Sequence, residues 1–290
     1  MTIMQSNRAG RLLSCLGIAL LCAPLAFAQT TDPEPTETSV TPLDDITTRE
    51  VVRDHRPLEY APVREADILW EKRIWRVVDV REKINQPFIA WEAPLFKILR
   101  DAALSGALTV YNTDSDQFKT PLSKEDVRSM LYKTDTVFVW QPEDPTQESL
   151  QVVENETNWE DVKRFRIKEA WYFDAKTASL RVRILGIAPL IEVRDSEGNF
   201  RFEKPLFWVH YPTARPFLAA QKAITHSDNF SAVLSWEDLL ERRQFSGTIM
   251  KENNLHNRRI EDYATGIDGL LESKRIESDL FAREHDLWSW

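Results

Sequence analysis

Between Arg164 and Ile184 the chain alternates between apolar and polar side chains, and this alternation constrains the fold more than any other feature. Phe165, Ile167, Trp171 and Phe173 alternate with Arg164, Arg166, Lys168 and Tyr172, the period-two pattern of a half-buried strand. After a turn at Asp174–Thr177, Leu180, Val182 and Ile184 alternate with Arg181 and Arg183. A tight turn at Ala175-Lys176 sets Trp171 opposite Leu180 and Ile167 opposite Ile184, so both apolar rows share one face. Moving either strand by one residue would put Arg181 beside Trp171. Glu169 is the misfit, a carboxylate on the apolar row. A second turn at Asp195–Gly198 and a third strand at Phe200–Tyr211 complete an antiparallel β-meander over about residues 163–211.

Helical spacing is read on both sides of the meander. Trp70, Ile74, Val77 and Ile84 predict a first helix over Arg64–Asn85, ended by Pro87. Leu95, Ile98, Leu99 and Ala102 predict a second over Pro94–Ser105, stopped at Gly106. A short strand at Ala107–Tyr111 follows. Ser123 and Asp126 make a capping-box start for a third helix ending near Lys133. Val137–Trp140 reads as a strand and Gln141–Asn158 as a polar, proline-broken loop. Beyond the meander, Ser235 caps a helix over Trp236–Arg243. Ile260, Tyr263, Ile267 and Leu270 form a stripe that continues through Leu280 to Leu287, weakened by Gly266 and Gly269. Helices, a meander and helices again define an α+β class, with a single domain over residues 61–290.

Both cysteines, Cys15 and Cys22, lie in the first 28 residues, which read as an export signal. Arg8 and Arg11 precede an apolar run from Leu12 to Ala26, and Ala26-Phe27-Ala28 offers small residues at the cleavage site before Gln29. A membrane anchor needs about 20 apolar residues, and this run is about 15. A lipoprotein would be cut before a cysteine, but Leu12-Leu13-Ser14-Cys15 has almost no apolar region ahead of it and Cys22 follows Leu21. The mature chain is therefore expected to lie outside the cytoplasm, without cysteine, disulfide, thiol nucleophile or Cys-type zinc site. Residues 29–60, rich in Thr, Pro, Asp and Glu, read as a flexible tether.

Cleavage takes the basic count from 37 to 35 against 46 acidic residues, a net charge of −11. That acidity argues against nucleic acid as a partner. Six glycines remain, and none forms a phosphate-cradling loop. His55, His210, His226, His256 and His285 include no HExxH pair. His226-Ser227-Asp228 and Glu284-His285-Asp286 come nearest to metal spacing, but adjacent residues on a helix point to different faces. No GxSxG motif occurs, and no catalytic, cofactor-binding or metal-binding residue is assigned. The ten tryptophans suit a core more than a sugar-stacking platform.

Two features suit protein contacts. Arg164, Arg166, Lys168, Arg181 and Arg183 form a basic row on the outer face of the meander, either solvated and paired locally or a docking surface for an acidic partner or neighbouring copy. Trp288 and Trp290 either tuck onto the core or anchor a contact.

Several stretches carry a resemblance. They are Arg64-Glu65-Ala66-Asp67-Ile68-Leu69-Trp70-Glu71-Lys72-Arg73-Ile74-Trp75-Arg76, Ile167-Lys168-Glu169-Ala170-Trp171-Tyr172-Phe173-Asp174, Arg183-Ile184-Leu185-Gly186-Ile187-Ala188-Pro189, Pro205-Leu206-Phe207-Trp208-Val209-His210-Tyr211-Pro212 and Asp279-Leu280-Phe281-Ala282-Arg283-Glu284-His285-Asp286-Leu287-Trp288. Taken in order, the chain resembles the GldN/PorN family of gliding-motility and type IX secretion proteins. The resemblance implies a periplasmic, non-enzymatic subunit without cofactor. It implies ring assembly with a GldK/PorK-like outer-membrane lipoprotein, self-association in that ring, and contact with a GldM/PorM-like motor protein. It implies no membrane span after signal cleavage. A cell-wall hydrolase or glycan-binding module is the competing expectation.

Overall fold

The computed structural model describes residues 46, 54–141, 144–195, 197, 199–225 and 234–288. The export signal, most of the tether, His226-Ser227-Asp228 and Trp290 lie outside the described residues. The elements run β1 (Ile68–Asp79), α1 (Leu95–Ser105), β2 (Val110–Tyr111), α2 (Lys124–Leu131), β3 (Tyr132–Gln141), β4 (Asp144–Glu156), β5 (Arg164–Asp174) and β6 (Ser179–Arg194). There follow β7 (Phe200–Pro205), β8 (Trp208–His210), α3 (Tyr211–Ala219), β9 (Lys222–Ala223), β10 (Leu234–Ser235), α4 (Trp236–Glu241), β11 (Thr248–Glu252) and α5 (Ile267–Trp288). The class is α+β. The main sheet is antiparallel, ordered β11-β1-β5-β6-β8-β2, with β7 also paired to β6.

The expected first helix is a strand instead. β1 pairs with β5 on one side and β11 on the other, so it lies inside the sheet. Both its faces are used: Ile74 and Val78 point one way and Trp75 the other, into separate apolar clusters. A strand buried on two faces loses its clean alternation, and Trp70, Ile74 and Val77 then mimic helical spacing. The polar loop expected at Gln141–Asn158 contains β4, which forms a two-stranded hairpin with β3. The third meander strand divides into β7 and β8, which pair with different parts of β6, and Tyr211 already belongs to α3.

Register in the meander differs from the tight-turn expectation. The connection spans residues 175–178, so Asp174 pairs with Ser179, Trp171 with Val182 and Phe173 with Leu180. A slip of two residues keeps every side chain on its expected face. Further along, Lys168 pairs with Gly186 and Glu169 with Ile184, which makes Leu185 the extra residue of a bulge. Ile167 therefore meets Ile187, not Ile184.

Elsewhere the sequence signals hold. α1 ends at Gly106, and Ser123 and Ser235 each form a full capping box, with Asp126 and Asp238. Gly266 takes φ +62°, so α5 starts anew behind it. That break splits the predicted stripe: Ile260 and Leu280 are buried as expected, together with Ser273 and Ile276, while Tyr263, Ile267 and Leu270 are exposed.

The helices α1–α5 pack on one face of the sheet. Phe165, Ile167 and Ile187 meet α1–α4, and Ile74, Trp171 and Ile249 meet α5. At the centre Phe88 lies 5.3 Å from both Phe165 and Trp236 in tilted and edge-on contacts. Each large apolar side chain buried this way contributes about 1.5–3 kcal/mol. Among the described residues the opposite face carries a small cluster of Trp75, Ala188 and Trp208, capped by Phe118 from the loop before α2.

Candidate interaction surface

The misfit carboxylate lies on the helix-covered face. Glu169 is 0% exposed, yet it is fully engaged. It accepts from Trp171 Nε1 at 2.9 Å and from Arg243 Nη2 at 2.9 Å, and Arg76 Nε lies 3.7 Å away. Arg76 in turn donates to the carbonyl of Gly247 at 2.6 Å and to Glu277 of α5 at 3.1 Å. A buried charge is tolerated only with such partners. This cluster ties β5, β1, the segment after α4 and α5 together.

The basic row does share one face, as pairing dictates: Lys168 with Gly186, Ala170 with Arg183, Tyr172 with Arg181. Its members do different things. Arg164 is held by Asp79 at 3.1 Å and Glu203 at 2.8 Å. Lys168 is 4% exposed, donates to the Asp116 carbonyl at 2.6 Å and lies 5.5 Å from the Trp75 ring centre. Burial lowers its pKa, partly opposed by Asp116. Arg181 sits 3.9 Å from Asp174.

Arg183 leaves the row altogether. The Ser179–Arg183 half of β6 pairs only with β5 among the described residues, and Arg183 turns at this free edge to the carbonyl of Ala61, 2.7 Å away. Tyr60 is caught between Arg183 and Arg215, whose guanidinium carbons lie 4.7 and 3.9 Å from its ring centre. Its hydroxyl donates to Glu241 at 2.6 Å, and burial with that bond raises its pKa. Arg215 itself is buried against Glu237 at 2.6 Å.

Arg166 is the exception. Among the described residues its guanidinium has no hydrogen-bond or ion-pair partner, and its Nε is buried. Desolvation, and then the neighbouring charge of Arg259, lowers its pKa. It lies where two open cavities meet. One, of about 430 Å³, is walled by Trp75, Asp116, Trp208 and Lys251. The other, of about 600 Å³, is walled by Val77, Leu190, Phe200 and Phe202. Arg166, Met250 and Arg259 line both, so the two adjoin at these side chains and together form a trough along the open face. Lys251, 4.3 Å from the Trp75 ring centre, adds a further cation whose pKa burial lowers.

The described histidines are engaged in packing and pairing or lie exposed. His55, Glu237 and Asp238 come within metal-ligand reach of one another. Both carboxylates are committed elsewhere, Glu237 to Arg215 and Asp238 to capping Ser235 and pairing with Arg242. His210 packs its ring 5.1 Å from Phe118 and bonds Thr213, and burial lowers its pKa. His285 is exposed on α5. Trp288 closes α5, and Trp290 lies outside the described residues. Sequence reasoning missed Tyr60, Lys251 and Arg259. Tyr60 and Lys251 adjoin segments whose placement depends on long-range pairing.

A sheet covered by helices on one face and open on the other as a trough of mixed charge, with one unpaired arginine, defines an α+β domain whose distinctive chemistry lies on its surface. The sequence matches the family model described as "Gliding motility associated protein GldN" over residues 63–289, and the chain belongs to that family. The family is associated with gliding motility and type IX secretion. No curated protein matches the sequence.

Proposed function

We propose that this chain is a non-enzymatic structural subunit of the type IX secretion and gliding machinery, working in the periplasm at the inner face of the outer membrane. It assembles with a GldK/PorK-like lipoprotein and with copies of itself into a ring, and it contacts a GldM/PorM-like motor protein. The family match across residues 63–289 carries this reading. No helix among the described residues is long and apolar enough to cross a membrane. In this reading the lipoprotein supplies the membrane attachment.

Affinity capture of the full chain from outer membranes, with mass-spectrometric identification of what comes with it, tests the proposal. The lipoprotein and motor subunits are the expected partners. Purified protein that hydrolyses a cell-envelope glycan, and loses that turnover on one carboxylate substitution, would replace this reading with the hydrolase one.

A further inference from the structure

The trough on the open face holds a cation that nothing among the described residues neutralises. Three carboxylates influence Arg166, and each is already engaged. Glu261 pairs with Arg259 at 2.8 Å. Glu203 pairs with Arg164 at 2.8 Å. Asp116 accepts from Trp75 Nε1 at 2.7 Å and lies 3.5 Å from Lys168. A half-buried guanidinium left without a partner is costly, and a carboxylate is the group its fork fits best.

The trough is also longer than a single small anion requires. At one end the edge strand β7 contributes Phe200, 56% exposed, and Leu270 of α5, 57% exposed, lines the same cavity. An exposed aromatic side chain beside an unsatisfied arginine is the making of a binding hot spot.

We propose that this trough receives an extended segment of a protein partner that carries a carboxylate among apolar residues, with the carboxylate seated on Arg166 and the apolar residues on Phe200 and Leu270. The proposal rests on the reading of the chain as an assembly subunit and names the contact by which it holds a partner. Of the basic row, Arg166 is the anchor. Arg164, Lys168, Arg181 and Arg183 already have partners or ring contacts within the domain.

The test places a photo-crosslinking phenylalanine analogue at Phe200 in the full chain, in its own cells, with Trp91, 78% exposed and outside the trough, as control site. Irradiation is expected to give a discrete product at position 200 whose crosslinked peptide, sequenced by mass spectrometry, carries Asp or Glu beside apolar residues. Arg166→Met should lower its yield roughly tenfold or more, and Arg166→Lys less. The melting temperature of each variant reports whether it folds, and the crosslink on otherwise native protein does not depend on either. Partner capture with no product at 200, a peptide lacking carboxylates, or a yield unchanged by Arg166→Met would overturn the proposal and leave the assembly reading standing. A mapped carboxylate-bearing peptide without lipoprotein or motor among the captured proteins would do the converse, supporting the trough contact and overturning the assembly reading.

Discussion

Glu169 and Arg166 are three residues apart on one strand, point to opposite faces of one sheet, and have opposite fates. On the helix-covered face Glu169 is sealed from water and surrounded by two arginines and an indole N–H. On the open face Arg166 has a buried Nε and no hydrogen-bond or ion-pair partner among the described residues. The covered face resolves its charges internally because nothing else will reach them. The open face leaves one unresolved, and an unresolved charge is a demand on a partner. Burial alone thus does not separate a structural ion from a functional one; whether its partners are already in the chain does.

The largest effect that sharpens this contrast is expected from Glu169→Ala. It strips Arg76 and Arg243 of their shared anion and should cost about 3–5 kcal/mol in chemical denaturation. A loss below about 1 kcal/mol would break the claim that the covered face depends on this charge. Next is Gly186→Ala. A Cβ there would stand 2.5 Å from Cζ of Phe118, the ring that caps the open face. The overpacking should cost about 1–3 kcal/mol and shift aromatic circular dichroism. Tyr60→Phe removes the bond to Glu241 and should cost about 1 kcal/mol. Arg166→Met goes the other way: replacing an unpartnered buried cation by a thioether should leave the melting temperature unchanged or raise it, whereas a hidden structural role would lower it.

The smallest effect concerns pH. Bonds from Arg81 hold the Asp79 carboxyl well below the usual carboxylate range, with Arg164 also donating. A carboxyl with a depressed folded-state pKa contributes stability that is present above its unfolded value, about 4, and is lost as pH falls below it. Asp79→Asn should therefore make the fall in stability between about pH 4 and pH 2 shallower in acid titrations.

Much of the covered face was legible in the sequence. The alternation of β5 and β6, the capping boxes at Ser123 and Ser235 and the stop at Gly106 are local signals, and local signals survive folding. The oddity of Glu169 was legible too, although its partners, 93 residues before and 74 after, were not. The earlier of the two, Arg76, sits in the misread β1, whose partners on both sides hid its period. The open face was half legible. Strand parity placed Arg164, Arg166, Lys168 and Arg181 on the expected face, because a two-residue slip in the turn does not change parity, while the Arg183 side chain bends away at the free edge. Which of them stays unpaired depends on where long side chains and distant loops end, and that is fixed only once Asp116, Glu203 and Arg259 have arrived.

β1 near the start of the domain lies between β5 and β11, and Trp75 pairs with Lys251. A chain emerging N-terminus first must therefore carry β1 with one edge bare until almost the whole domain has been delivered. Any shortened product ending before Thr248 leaves the outer edge of β1 unpaired, with its row of backbone N–H and C=O groups open to another strand.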